Sequence, residues 1–104
     1  MKTILAAVVF ALAAGAASAQ TDPVSVAQFC EVRGKTAEIV MRARQDGVPL
    51  SKLMNTNAAQ QDQIISLMIQ AAYAVPRYQS ASFRVRAAED FRSEVEASCF
   101  ANRQ

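Results

Sequence analysis

Through most of this chain apolar residues recur every three or four positions, and no stretch alternates apolar and polar residues over the length of a strand. The pattern predicts helices. The first opens at Asp22-Pro23, an N-cap followed by proline at the first helical position, and ends before Gly47, which suits a left-handed C-terminal cap. Its apolar line runs through Val26, Phe29 and Cys30, Ala37, and Val40 and Met41. Beyond Pro49, Ser51 is placed to cap a short helix over 52–55, and Asn55-Thr56-Asn57 reads as a turn or a second cap. A third helix is predicted over 58–74, with Ile64, Ile65, Met68, Ala71, Ala72 and Val75 as its stripe and Leu67 on the flank, closed by Pro76. The last starts near Ser80 or Ser82 and runs to about 101, with Phe83, Ala87, Ala88, Phe91, Val95 and Cys99 facing inward.

The N-terminus breaks the amphipathic pattern. Lys2 precedes an unbroken apolar run over 4–14, and Ala17-Ser18-Ala19 is a small-residue cleavage signature, so residues 1–19 read as a secretory signal peptide and 20–104 as a single domain. The run falls short of the roughly 20 residues of a spanning helix, so no permanent membrane anchor is expected after cleavage. Export makes the chain periplasmic or secreted, and there its two cysteines, Cys30 and Cys99, read as a disulfide. Removing Lys2 from the eleven basic residues leaves ten against nine acidic, a net charge of +1 that gives no reason to expect nucleic acid. The absence of histidine removes the commonest general base and the commonest zinc ligand. No metal constellation, nucleophile–base pair or phosphate loop can be assembled, so no cofactor and no catalytic residues are expected.

The cysteines constrain topology. Cys30 lies near the start of the first helix and Cys99 near the end of the last, so they meet only if those helices run antiparallel. Three helices in strict up-down-up order would separate them; the short segment after Pro49 supplies the missing reversal. The fold class expected is therefore all-α: a small bundle of three main helices plus one short reversing helix, stapled by one disulfide. Gly34, with Ala27 and Ala37 on the face of Cys30, is expected to allow the close helix approach a disulfide needs.

In that topology five arginines, Arg42, Arg44, Arg77, Arg84 and Arg86, converge on the pole opposite the disulfide, with Gln45, Tyr73 and Tyr78. Arg44 extends the inward line of the first helix. It either ties down carbonyls of the 47–51 loop, pairs with Asp90 or Glu94, or helps form a pocket that takes a phosphate or carboxylate in bidentate fashion. Tyr73, with Ile69 beside it, falls opposite the Ile64/Met68 stripe, and an exposed Ile–Tyr pair next to Arg77 has the composition of a partner contact. The candidate binding residues are thus Arg42, Arg44, Gln45, Tyr73, Arg77, Tyr78 and Arg84.

One stretch of motif carries a resemblance. Cys30 is followed by Ala37-x-x-x-Met41-x-x-Arg44-Gln45-x-Gly47-Val48-Pro49-Leu50-Ser51, then Ala72-Tyr73-x-x-Pro76-Arg77-Tyr78, Phe91 and the closing Cys99. This resembles a family of small exported bacterial and prophage-type helical proteins with two cysteines; no activity comes with the resemblance, and no functional residue is carried over. In size, architecture and single disulfide the chain is more loosely similar to the periplasmic acid-stress chaperones HdeA and HdeB. Three functions follow as expectations. The first is an envelope interaction module whose partner, another envelope protein or an anionic envelope component, docks on the arginine–tyrosine pole. The second is an acid-stress chaperone that exposes its apolar stripe when carboxylates protonate. The third, least supported, is a small enzyme built on Arg44, Tyr73, Tyr78 and a carboxylate.

Overall fold

The structure is a computed structural model and describes residues 25–103. The predicted signal peptide and the predicted helix start at Asp22-Pro23 lie outside the described residues. Among those described there are five helices and no strand: α1 (Val26–Gln45), α2 (Leu50–Met54), α3 (Asn57–Gln61), α4 (Gln63–Tyr73) and α5 (Ala81–Arg103).

Each boundary has a local cause. Ser25 caps α1 in a capping box: its hydroxyl accepts the Gln28 N–H (3.1 Å), and the Gln28 amide oxygen accepts the Ser25 N–H (3.3 Å). At the other end Gly47 adopts φ +87°. Its N–H donates to Arg44 O (3.1 Å) and the Val48 N–H to Ala43 O (3.0 Å), the paired bonds of a Schellman cap. Pro49, not Ser51, occupies the N-cap of α2; the fixed proline φ sets the extended geometry from which the helix starts one residue on, and Ser51 lies inside it. Thr56 caps α3 through its hydroxyl, which accepts the Ala59 N–H (3.3 Å).

The helix predicted over 58–74 is two helices, broken at Asp62. That residue is extended (φ −128°, ψ 108°), and its carboxylate accepts the Ile64 N–H (2.9 Å) while pairing with Arg33 Nη1 (3.1 Å). The reversal therefore takes two short helices, α2 and α3, rather than one. It sets α4 parallel to α1: Asp62 lies by Arg33 near the start of α1, and Val75 lies by Arg44 near its end. From there α5, capped by the Ser80 hydroxyl on the Phe83 N–H (3.2 Å), returns antiparallel and places Cys99 on Cys30 with Cα atoms 5.6 Å apart.

The core is Ala37, Val40 and Met41 of α1, Ala59 of α3, Met68, Ile69 and Ala72 of α4, and Ala88 and Phe91 of α5. The face of α4 is rotated from the expected stripe. Ile69 is buried and Tyr73 half-buried, whereas Ile64 and Leu67 are exposed. Apolar residues fill five of the six positions 64–69, so periodicity does not single out a face; the Asp62 break and its pairing with Arg33 do. Phe83 is also outward, at 55% exposure, because it lies in the first turn of α5, beyond the reach of the core. Gly34 has the role expected of it: it is buried, and a Cβ there would overlap the Glu96 carboxylate of α5. Arg92 holds that carboxylate (3.0 Å) and crosses to Glu38 on α1 (2.9 Å), which also takes Arg42 (2.6 Å), so one chain of charges staples α1 to α5. No helix among the described residues is long and apolar enough to cross a membrane.

Candidate functional site

The pole opposite the disulfide is built around the end of α1. An α-helix leaves its last carbonyls without intrahelical partners, and the turn from α4 to α5 carries backbone groups that belong to no helix. Here side chains from each reach backbone groups of the other. Gln45 is 1% exposed, and its amide spans the turn: Nε2 donates to Pro76 O (2.9 Å) and Oε1 accepts the Tyr78 N–H (2.8 Å). In return Arg77 Nε donates to Gln45 O (2.9 Å) at the end of α1, and its guanidinium lies against Gly47, where a Cβ would come within 3.1 Å of Cζ. Arg44 Nε donates to Val75 O (3.0 Å), and Arg84 Nε to Tyr78 O (2.6 Å).

Tyr73 closes the inner side. Its hydroxyl donates to Val48 O, and the Arg44 guanidinium sits over its ring, 5.2 Å from the centroid. Burial pushes the Tyr73 phenol above its ordinary range, and the Arg44 charge offsets part of that rise. The Val48 loop thus covers the ring expected to be exposed. Arg44 does bind carbonyl oxygen, but that of Val75 rather than the 47–51 loop, and it forms no ion pair with Asp90 or Glu94.

The structure therefore brings Arg44, Gln45, Tyr73, Arg77, Tyr78 and Arg84 together. It does not bring Arg42, whose guanidinium turns back along α1 to Glu38. Gln45 cannot face a partner, because it is sealed beneath the turn. What faces outward is different. The Tyr78 ring (36% exposed) lies 6.1 Å from that of Phe83, tilted by 50°. The two rings, with Arg86, Ala87 and Asp90, line a hollow of about 310 Å³. Neither Arg86 nor Asp90 has an ion-pair partner among the described residues. Phe83 and Asp90 were not among the predicted binding residues. The signal that could have found them is position: both belong to the first turns of α5, beside Tyr78.

Hydrogen bonds to neutral carbonyls orient the guanidinium groups without neutralising them. Arg44, Arg77, Arg84 and Arg86 therefore leave this corner cationic against the carboxylates of Asp46 and Asp90. Among the described residues no cluster of three histidine, cysteine or carboxylate side chains is placed to hold a metal ion. No family model, no curated protein and no solved structure matches the chain.

Proposed function

We propose that the protein is a small binding module that docks an acidic segment of a protein partner on Tyr78, Phe83 and Arg86. The observation that carries this reading is the treatment of Tyr78. Its main chain is gripped on both sides of Cα, N–H by Gln45 and C=O by Arg84, while its ring stays exposed beside Phe83. A backbone fixed in advance lowers the ordering cost of binding, and exposed aromatic and arginine side chains are the usual anchors of an interface. The surrounding positive charge favours an acidic partner and speeds its encounter. On this reading the inner arginines orient the platform and the outer residues make the contacts. The disulfide is compatible with an oxidising compartment. An envelope or secreted location is part of the proposal, supported by the signal-peptide pattern of residues 1–19.

The test is capture from envelope extract followed by titration of the purified partner against wild type and Phe83→Ala/Arg86→Ala. Both residues lie outside the core, so the variant should unfold at the wild-type urea concentration. Binding is expected to weaken by about tenfold or more, and to fall with added salt. Equal affinity of the two proteins would remove the reading.

A second reading, an acid-stress chaperone, has one observation in its favour. The ion pairs that join separate helices, Glu38–Arg92 and Arg33–Asp62, depend on carboxylates that titrate in the acid range. Acidification with a dye for exposed apolar surface and an aggregating client decides it: a domain that stays closed at about pH 3 and protects no client dismisses it.

A further inference from the structure

A second concavity lies at the disulfide pole, far from the arginine corner. Helices α4 and α5 both pack on α1, and few of their backbone positions approach one another. The gap between them is a groove of about 400 Å³, within the usual size of a small-molecule site. Phe29, Ile64, Leu67, Met68 and Val95 give it apolar walls. Ile64 and Leu67, at 52% and 51% exposure, form a lip that the domain leaves uncovered.

Arg33 stands on the α1 wall, stacked on the Phe29 ring at 5.2 Å. Asp62 comes within 3.1 Å of its Nη1; Nε and Nη2 have no hydrogen-bond partner among the described residues, and neither is sealed from solvent. The Ser98 hydroxyl and Asn102 amide add polar groups on the α5 wall. An apolar trench with one guanidinium offering two unused donors is complementary to an alkyl chain ending in a carboxylate. Asp62 already offsets part of the Arg33 charge, which suits a single negative charge better than a phosphate dianion. A second copy fits less well, since a two-fold contact would set groove against groove and leave both hollow.

We infer that the groove between α4 and α5 binds a free single-chain carboxylate amphiphile of the fatty-acid type, its chain along Leu67, Met68 and Val95 and its head on Arg33. Dodecanoate, below its micellar range, is the probe, titrated by calorimetry and by amide and arginine Nε–H chemical shifts. Saturable binding of one ligand per chain is expected, with shifts confined to the groove and to Arg33. Dodecan-1-ol should bind more weakly by about tenfold or more, the order of one charge-assisted hydrogen bond. Leu67→Glu, on an exposed position, and Ser98→Phe, which fills the groove, should each weaken binding by about tenfold or more. Three results would overturn the assignment: no saturable shift up to the solubility limit, equal binding by both variants, or binding seen only with micelles or vesicles. Concentration-dependent self-association that dodecanoate leaves unchanged would also overturn it, and would give the face to a second copy.

Discussion

Gln45 shows how a polar residue can be the most constrained side chain of a helical domain. It occupies the next position on the buried line after Met41, where a hydrophobe would leave the Pro76 carbonyl and the Tyr78 N–H without partners. Gln45→Ala is therefore expected to cost about 2 kcal/mol, the penalty of leaving two part-buried backbone groups without their partner, read as a lower urea midpoint. Gly47 carries a different constraint. At φ +87° a side chain is strained, and a Cβ would press on the Arg77 guanidinium, so Gly47→Ala should lose about 1–2 kcal/mol in the same assay. The glycine was legible in the sequence, since Gly-x-Pro after a helical run has few other meanings. Gln45 was legible only as a member of the corner. Residue type said surface and periodicity said core, and the deciding partners lie 31 and 33 positions away.

At the scale of elements, the helices follow from their caps, and the break at Asp62 explains most of what the pattern missed. Aspartate lacks the signature of a glycine or proline breaker, yet as an N-cap tied to Arg33 it divides one predicted helix into α3 and α4 and turns Ile69 and Tyr73 inward. The same residue links the fold to pH. Burial alone would raise the Asp62 carboxyl, but the Ile64 N–H and Arg33 outweigh it, and it lies below its ordinary 3.8; Arg42 first and then Arg92 hold Glu38 below its ordinary 4.5. Both carboxyls take up protons more readily in the unfolded chain. Their contribution is thus fully present above those ordinary values and is lost as pH falls through the lowered ones. The urea midpoint should be flat through neutrality and decline below about pH 4.5. Asp62→Asn/Glu38→Gln should start from a lower midpoint at neutral pH and decline less steeply; an unchanged acid limb would contradict this assignment.

The whole molecule is a closed circuit. The disulfide joins the start of α1 to the end of α5, and the Gln45–Arg77 exchange joins the end of α1 to the turn before α5. The topology was legible because two cysteines at opposite ends of the chain admit few helical arrangements; the division of the corner into an inner lock and an outer face was not, because it depends on side-chain direction. With the cysteines 69 positions apart, reduction should cost about 4 kcal/mol and lower Tm by roughly 15–30 °C. The claim on which the rest depends is that the corner is a rigid platform. The Tyr78 N–H tests it most directly, because it lies in a turn outside any helix and its sole acceptor among the described residues is the buried Gln45 amide. Native-state hydrogen exchange should find this amide protected to a degree comparable with the core of α1, and Gln45→Ala should abolish that protection while leaving the α1 amides slow. Exchange at the rate of an unstructured peptide in the wild type would contradict the account.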